Sequence, residues 1–196
     1  MKARDLIISP CELADIRSFV ETHHYSRTVN GVKITACFRV DYLDTLVGAV
    51  VYGQMSTTAW KKFSASEADV LELRRLVLVD ECPKNSESRV VGWTLRHIRK
   101  SIPGVSVVVS YADPHHGHTG VIYKASNFEY LGESAKDIGF RNPITGKIYH
   151  SRALRTKYSG DYKPFVKELR FLKEIGVLEP VALPGKHCWV YRLKGR

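Results

Sequence analysis

The feature that most constrains this chain is an apolar run that ends at an Asp-Pro pair. Val105–Val109 is rich in β-branched side chains, which is typical of a central strand buried on both faces. Asp113 and Pro114 end it, because proline has no N–H for the ladder and disfavours helix in the residue before it. Ligands of open α/β sheets bind at the carboxyl ends of such strands. The polar residues that follow are therefore predicted to form part of a site, and they are Asp113, His115, His116 and His118.

Length and composition predict one globular domain over residues 1–196. The hydrophobic fraction of 44% and the charged fraction of 26% are ordinary for such a domain, and no Gly/Ser/Pro-rich linker divides the chain. No apolar run approaches the ~20 residues that span a bilayer, and the N-terminus lacks the apolar stretch of a signal peptide. We therefore expect a cytoplasmic protein.

Cysteine and histidine spacing give no firm metal site. The four cysteines are scattered without a C-x-x-C pair, which argues against a zinc ribbon and against a disulfide framework. The cluster from Asp113 to His118 has a spacing compatible with metal ligation, but such a turn equally suits hydrogen-bonded side chains. Proton transfer is the favoured role for this cluster, and no metal is predicted.

The positive charge is concentrated in the second half of the chain. The formal net charge is +10; residues 1–98 hold 13 Lys/Arg against 12 Asp/Glu, and residues 99–196 hold 17 against 8. Basic side chains pair with phosphates and aromatic faces stack on bases, so the basic portion at about residues 136–175 is predicted to contact nucleic acid. The alternative is a solvated basic face with core aromatics. The aromatic residues threaded through this portion are Phe140, Tyr149, Tyr158, Tyr162, Phe165 and Phe171. The candidate contacts are Arg141, Lys147, Arg152, Arg155, Lys157 and Lys163.

Hydrophobic periodicity predicts alternating strands and helices. The expected strands are Leu6–Ile8, Ile34–Val40, Leu46–Tyr52, Val70–Val79, Val105–Tyr111, Phe128–Leu131 and Cys188–Leu193. The expected helices run from a capping box at Ser9–Glu12 to about His24, from an Asn85 cap to before Pro103, over Thr119–Ser126 and over Lys163–Ile175. Gly53–Asp69 is left as a long polar loop.

This order predicts an α/β fold of the N-acetyltransferase (GNAT) type, a mixed sheet flanked by helices. In such folds a helix start after the fourth strand cradles the pyrophosphate of an acyl-coenzyme A. The corresponding stretch here, Glu81–Arg89, contains no glycine. Lys84 and Arg89 are the residues that supply positive charge in its place.

Three further groups carry candidate chemistry. His24, Tyr25 and Ser26 follow the first helix, although a histidine at a helix end is more often a cap than a catalyst. Arg75 falls on the apolar face of its strand if the pleat is regular, and a β-bulge would relieve that. Tyr123 and Asn127 lie four residues apart on the short predicted helix, where core packing is the alternative reading for Tyr123.

A set of short motifs is spread along the chain, and they are His24-Tyr25-Ser26, Val47-Gly48, Glu72-Leu73-x-Arg75-Leu76, Ser110-Tyr111-Ala112-Asp113, Gly117-His118-x-Gly120, Ile122-Tyr123, Ala125, Asn127 and Tyr130-x-Gly132. Together these motifs resemble the Mom family of phage DNA-modification proteins. The resemblance covers about residues 24–132, with a weaker echo at Lys186 and Tyr191-Arg192. Membership implies a GNAT-like fold and a transferase that adds a carbamoylmethyl (acetamido) group to adenine N6 in phage DNA, which blocks restriction in the infected bacterial host.

The implied reaction assigns roles to the candidate residues. Adenine N6 is a poor nucleophile, so alignment and proton removal must supply much of the acceleration, and in duplex DNA the base must also be flipped out. The expected catalytic set is His24, Tyr25, Ser26, Asp113, His118 and Tyr123, with His24 or His118 taking the proton. The expected donor-binding set is Arg75, Ser110, Asn127, Lys84 and Arg89. Candidates for stacking on the base are Tyr25, Tyr111, Tyr123 and Trp60, and candidates for its edge are Asn127 and Asp113.

The sequence leaves alternatives for the identity of the donor and for the class of function. Forming an N–CH2 bond is not simple acyl transfer, so the donor is either acetyl-coenzyme A or an activated aminoacyl (glycyl) group carried by RNA. One rival function is an ordinary N-acetyltransferase that acts on a small amine or a protein. The other is a non-enzymatic nucleic-acid-binding module in which the Asp113 and His118 cluster is structural.

Overall fold

A computed structural model describes residues 1–30, 33–55 and 58–193, apart from the side chain of Tyr158. The chain divides into two compact units. The first contains residues 1–112, 118–132 and the described residues from His187 onward, and the second contains Asp113–Gly117 and Glu133–Lys186. The prediction of a single domain over 1–196 stays a prediction.

The described residues form strands and four α-helices in the order expected of an α/β protein. The strands are β1 (Ile7–Cys11), β2 (Ile34–Tyr42), β3 (Thr45–Gly53), β4 (Val70–Leu78), β5 (Val107–Ala112), β6 (Glu129–Glu133), β7 (Asp137–Arg141), β8 (Ile148–His150), β9 (Lys157–Tyr158), β10 (Asp161–Tyr162), β11 (Glu179–Leu183) and β12 (His187–Arg192). The helices are α1 (Leu13–His23), α2 (Ser86–Ser101), α3 (Val121–Ala125) and α4 (Pro164–Glu174). None of these helices is long and apolar enough to cross a membrane.

The first unit is built on a seven-stranded sheet with the order β1-β2-β3-β4-β5-β12-β6. β4 and β5 pair in parallel, whereas β1–β2, β2–β3, β3–β4 and β5–β12 pair antiparallel. The mixed sheet flanked by helices confirms the predicted fold class. The predicted hairpin is also confirmed, with Leu43 and Asp44 as its two-residue turn, both at positive φ.

Side-chain alternation divides the core of the first unit between the two faces of the sheet. Val50 and Tyr52 of β3 belong to the same buried cluster as Val91 of α2. Ala49 and Val51 instead pack with Ile16 and Val20 of α1. The hydroxyl of Tyr52 is bonded to Oγ1 of Thr94 at 2.7 Å, so this buried polar pair is satisfied.

The sheet opens between β4 and β5. Their pairing covers Val70–Leu73 against Val107–Ser110 and stops there, although β4 continues to Leu78. A register shift against β3, between Val51 and Tyr52, confirms the bulge predicted for β4. The strand edge of β4 beyond Leu73 is therefore available next to the end of β5, and this position is where the candidate site is built.

Two helix starts differ from the prediction. The predicted capping box at Ser9–Glu12 is wrong, because these residues up to Cys11 form edge strand β1, where Pro10 is tolerated. The helix begins at Leu13, and the N–H of Glu12 donates to Asp15 Oδ2 at 2.9 Å. Asn85 does precede α2, but it lies at φ 70° and its side chain makes no capping hydrogen bond. Both differences arise because tertiary pairing and turn geometry override a local capping signal.

The second unit contains strands that periodicity did not reveal. β11, β7 and β8 form an antiparallel sheet in that order, β9 and β10 form a two-stranded ribbon, and α4 follows. The strands β8, β9 and β10 have three residues or fewer, too short for a period-two pattern to be visible. α4 confirms the predicted fourth helix, and Gly176 follows it at φ 76°.

Candidate active site

His24 is fixed by the residues that end α1. It is the C-cap residue, its backbone N–H donates to Val20 O at 2.9 Å, and only 6% of its surface is exposed. Nδ1 accepts the backbone N–H of Ser26 at 3.1 Å and lies 2.9 Å from the Ser26 hydroxyl. Because Nδ1 is an acceptor here, the proton of the neutral imidazole is carried by Nε2. His24 therefore presents an N–H donor at Nε2.

Tyr25 connects the end of α1 to the turn that precedes α3. Its ring centroid lies 4.2 Å from that of His24 and 5.2 Å from that of His118. Tyr25 is 45% exposed and the His118 side chain is exposed as well. Two residues 93 positions apart in the sequence thus form one accessible aromatic surface. The sequence predicted both, and the fold brings them together.

Tyr123 and Ser110 form a buried polar link at the opening between β4 and β5. Ser110 is fully buried, its hydroxyl donates to Leu73 O at 3.3 Å, and it is hydrogen-bonded to Tyr123. Burial raises the pKa of Tyr123, and the Ser110 hydrogen bond offsets part of that effect. Tyr123 is therefore a protonated phenol at neutral pH. Core packing and a role at the site are both compatible with this environment.

Arg75 reaches the site from the bulge of β4. Its Nε donates to Thr28 O at 3.0 Å, and its Nη1 donates to Arg74 O at 2.7 Å. Burial and, after it, the adjacent Arg74 guanidinium lower the pKa of Arg75. Tyr25 and Glu72 act on it in the opposite direction. The predicted bulge thus places a half-buried cation close to the segment that follows His24.

Asp113 belongs to the second unit, where it is ion-paired. Its Oδ2 lies 2.8 Å from Nζ of Lys186, and its Oδ1 accepts the backbone N–H of His115 at 3.1 Å. Burial acts to raise the pKa of Asp113, but the hydrogen bond and charge of Lys186 outweigh it and the pKa is lowered. An ion-paired carboxylate of low pKa is a poor base, so a positioning or binding role suits it better. Lys186 carried only a weak signal in the sequence.

Three remaining candidates of the first unit are found beyond α3 and near the start of α2. Asn127 follows α3 at φ 62°, beyond the helix, so it does not share a helical face with Tyr123 as predicted. It lines a cavity of about 670 Å³ beside α2. Arg89 donates to Arg4 O at 3.1 Å, and Lys84 is exposed before α2.

Two predicted stacking residues are involved in packing. Tyr111 and Trp60 pack, partly buried, against the cluster that contains Val109 and Val190. Burial raises the pKa of Tyr111, so its hydroxyl also stays protonated. Tyr25 is the stacking candidate that the structure leaves most exposed of the four.

The basic candidates of the second unit differ in how they are engaged. Arg141 is paired with Glu179 at 2.6 Å, and Arg155 donates to Ser151 Oγ at 2.9 Å. Lys147 lies 5.2 Å from the ring centroid of Tyr149, and Lys157 lies 5.2 Å from that of Tyr162. Lys163 is the N-cap residue of α4, and Arg152 is exposed. Cations over aromatic rings form the mixed surface that stacking and phosphate contact require.

The sequence analysis assigned no role to Arg74, and it named Glu72 only as part of a motif. Nη1 of Arg74 lies 2.8 Å from Oε2 of Glu72, and each side chain is only 15% exposed. The pair was visible as alternate charged positions in an otherwise apolar strand, a pattern that buried functional groups produce. Among the described residues, no group of three or more His, Cys, Asp or Glu side chains could hold a metal ion.

The turn before α2 does not match a coenzyme A cradle. A pyrophosphate is held by backbone N–H groups that approach closely where glycine removes the side chain. Residues 79–85 contain no glycine, and Glu81 and Glu87 flank the start of the helix.

Comparison with known proteins identifies relatives at the level of sequence and of fold. The model of the Mom protein family matches residues 5–196. The methylcarbamoylase mom of Escherichia phage Mu is 37% identical over 144 residues, which are 71% of this chain and 57% of that protein. The chain thus matches little more than half the length of this relative.

Solved structures of acetyltransferases share the fold at low sequence identity. NAA60 of Arabidopsis thaliana in complex with acetyl-CoA is 12% identical, with a TM-score of 0.54 over 96% of this chain and 99% of the other. A GNAT family acetyltransferase from Elizabethkingia anophelis with acetyl-CoA bound is 6% identical, with a TM-score of 0.52 over 96% and 99%. The ribosomal-protein-S18-alanine N-acetyltransferase from Escherichia coli is 9% identical, with a TM-score of 0.52 over 97% and 96%. These likenesses confirm the GNAT fold predicted from the order of elements.

Proposed function

From the premise that this chain belongs to the Mom protein family, we propose that it is a transferase that modifies DNA by adding a carbamoylmethyl group to N6 of adenine. The observation that carries the proposal is the contact of Tyr25 with both His24 and His118. This contact assembles an N–H donor, an exposed aromatic face and an imidazole. We further propose that modification takes place in the cytoplasm of the infected bacterial host.

The aromatic face of Tyr25 supports recognition of a flipped base. An extruded adenine is held by stacking on aromatic side chains and by hydrogen bonds to its edge, at a cost of a few kcal/mol for unstacking. Tyr25 is 45% exposed, so a purine can stack on it without repacking of the core. Asn127 remains the proposed contact of the first unit to the base edge, and Ser26 holds the His24 ring in place.

The two histidines divide the acid and base roles. His24 offers Nε2–H and suits stabilisation of negative charge on a carbonyl oxygen of the donor. His118 makes no hydrogen bond to any other described side chain, so it can accept a proton. We assign proton removal to His118: N6 attacks the carbonyl carbon of the activated donor, the bond from that carbon to the carrier breaks with its electron pair leaving on the carrier, and one N6 proton moves to the His118 imidazole. With a glycyl donor, the N6-glycyl adenine formed in this step contains the same atoms as the carbamoylmethyl product and must isomerise to it. Tyr123 and Ser110 lie at the opening between β4 and β5 and border this reaction space.

The second unit supplies the proposed contact with the DNA backbone. Arg152, Lys147, Lys157 and Lys163 lie on its described surface, with rings of Tyr149 and Tyr162 under two of them. Lysine and arginine contacts to phosphate release counterions and make binding salt-dependent. The basic portion at about residues 136–175 is therefore the proposed nucleic-acid contact. Arg141, which is paired with Glu179, and Arg155, which is bonded to Ser151, belong to the same proposed contact.

The donor is an activated acyl group, and two carriers remain in the proposal. Acetyl-coenzyme A fits the fold, whereas a glycyl group on RNA fits both the basic surface and the absence of glycine from residues 79–85. Supplying labelled donors to the purified chain with adenine-containing DNA distinguishes them. Label transfer from only one donor to a modified adenosine identifies the carrier.

Mass spectrometry of nucleosides tests the proposed function. DNA from cells that express the chain should contain a carbamoylmethylated adenosine, and the His118→Asn and Asp113→Ala variants should reduce it at least tenfold. The matched control is His23→Asn, which changes an exposed imidazole next to the site and should leave the product unchanged. Unmodified adenine under wild-type expression contradicts the proposal. Acetylation of a small amine in the absence of DNA would instead support an ordinary N-acetyltransferase.

A further inference from the structure

Two adjacent arginines lie at the bulge of β4. In a regular strand Arg74 and Arg75 would point to opposite faces, but the register shift against β3 changes this alternation. Arg75 Nη1 donates to Arg74 O at 2.7 Å, and Arg74 Nη1 lies 2.8 Å from Glu72 Oε2. The two guanidinium groups repel each other: after burial, the charge of Arg74 is the next cause that lowers the pKa of Arg75. The bulge therefore concentrates positive charge at one point of the sheet.

The local charge is not balanced. Glu72 is the one carboxylate among the groups that influence Arg75, and it already pairs with Arg74. Two guanidinium groups thus lie near this one carboxylate, and the Arg74 and Glu72 side chains are each only 15% exposed. Buried charges are costly unless they are paired and hydrogen-bonded. An anion at this point would complete the pairing.

Arg74 also has an unsatisfied donor. Its Nε is one of two buried side-chain nitrogens without a hydrogen-bond partner within residues 1–30, 33–55 and 58–193. Leaving such a donor unpaired costs more than a hydrogen bond gains, so it indicates a partner that the chain itself does not supply. The neighbouring edge of β4 is not paired with β5 beyond Leu73, so β5 does not cover the strand at this point.

We propose that Arg74 and Arg75 together form a binding site for a phosphate-type oxyanion of a substrate, with Arg74 as a binding residue additional to those predicted from the sequence. The planar guanidinium fork matches the two oxygens of such a group. Glu72 holds the Arg74 side chain in place and competes with the oxyanion for it. This inference deepens the proposed function and rests on it, because the site lies beside Tyr25 and the segment after His24.

Direct binding tests the site without any turnover. The midpoint of thermal unfolding is measured against inorganic phosphate concentration at constant ionic strength, which gives the phosphate dissociation constant. Arg74→Met, which removes the guanidinium and keeps an unbranched side chain, should weaken phosphate binding about ten- to a hundredfold. The matched control is Arg17→Met, which removes an arginine that is also ion-paired, to Glu21 at 3.3 Å, on the surface of α1. Arg17→Met should leave the dissociation constant unchanged.

A second variant, with the opposite expected effect on phosphate affinity, distinguishes a binding site from a purely structural ion pair. Glu72→Gln removes the competing carboxylate, so phosphate should bind more tightly than to the wild-type chain. A structural pair predicts loss of stability in both variants and no change in phosphate affinity. Equal affinity in the wild type, Arg74→Met and Glu72→Gln overturns the proposal, even if one variant is poorly folded.

The source of the oxyanion is identified by competition. A short single-stranded DNA that contains adenine and, separately, coenzyme A are titrated against bound phosphate. Displacement by the DNA assigns the site to a substrate phosphate, and displacement by coenzyme A assigns it to the donor. If neither displaces phosphate, the substrate assignment is wrong. If Arg74→Met loses phosphate binding but modifies adenine at the wild-type rate, the site has no part in the reaction. That result would overturn this inference and leave the proposed function intact.

Discussion

The backbone N–H of Ser26 donates to Nδ1 of His24 at 3.1 Å, and this bond determines the chemistry that His24 can perform. A neutral imidazole that accepts at Nδ1 carries its proton on Nε2 and acts there as a donor. To act as a base at Nε2, the ring would have to lose the Ser26 bond within a buried environment. The sequence offered His24 and His118 equally for proton removal, and this contact supports the proposal that His118 takes the proton.

Amide substitutions of His24 should distinguish a donor from a base. His24→Gln places an N–H2 group near the position of Nε2, so it should retain measurable activity, with kcat reduced about tenfold and KM little changed. His24→Asn reaches only the position of Nδ1 and should reduce kcat by a factor of about a hundred or more. Steady-state kinetics of adenine modification measure both variants. Equal losses in the two variants would argue for the base role.

Gly120 should tolerate no side chain. It lies at φ 85°, and a Cβ there would meet the indole of Trp189. Gly120→Ala should therefore cost backbone strain of about 1–2 kcal/mol and a further 1–3 kcal/mol from the steric conflict. The control is Gly132→Ala, at φ 90° with nothing within 4 Å of the added Cβ, which should show the strain alone. Chemical denaturation measures both, and equal destabilisation contradicts the packing argument.

The buried hydroxyl of Tyr52 should contribute to the stability of the first unit. Its bond to Thr94 Oγ1 is 2.7 Å long, and Thr94 in turn donates to Val91 O at 2.9 Å. Tyr52→Phe should lower the free energy of unfolding by about 1 kcal/mol, because Thr94 keeps its second partner. Tyr42→Phe, at the partly buried end of β2, is the control and should change it by less than about 0.5 kcal/mol. Denaturant titration compares the two variants.

The ion pair between Asp113 and Lys186 should make stability depend on acid pH. Because the folded-state pKa of Asp113 lies below its usual value, its contribution is complete above the unfolded pKa and is lost as pH falls through the folded one. Stability should therefore decrease from about pH 5 downward. Lys186→Met should make this decrease smaller, since it removes the hydrogen bond and charge that lower the pKa. Unfolding midpoints measured between about pH 2 and pH 7, the range in which carboxyl groups titrate, test this prediction. The prediction is contradicted if Lys186→Met loses as much stability at acid pH as the wild-type chain.

Contact of the second unit with DNA predicts a change in salt dependence. Arg152 is exposed and makes no ion pair among the described residues. Arg152→Ala should reduce the slope of log K against log salt by about 0.9 if its guanidinium contacts a phosphate. Arg17→Ala in α1 removes the same charge far along the chain and should leave the slope unchanged. Binding titrations at several salt concentrations measure the slope.

The sequence by itself determined the order of the long elements. The apolar runs of β3, β4 and β5 and the helical period of α2 are local properties of consecutive residues, and they predicted the mixed sheet that the structure contains. The same residue types identified His24, Tyr25, Ser26, Arg75, His118 and Tyr123 as candidates. The short strands of the second unit escaped detection, because two or three residues carry no period.

Tertiary structure decided which candidates meet and in what state. Whether Tyr25 contacts His118, or Asp113 pairs with Lys186, depends on contacts between residues more than 70 positions apart, which no local pattern encodes. The proposed site at Arg74 depends on a register shift, and the proposed donor role of His24 depends on the path of two backbone residues. Side-chain type follows from the sequence, whereas protonation and partnership follow from where the folded chain places each group.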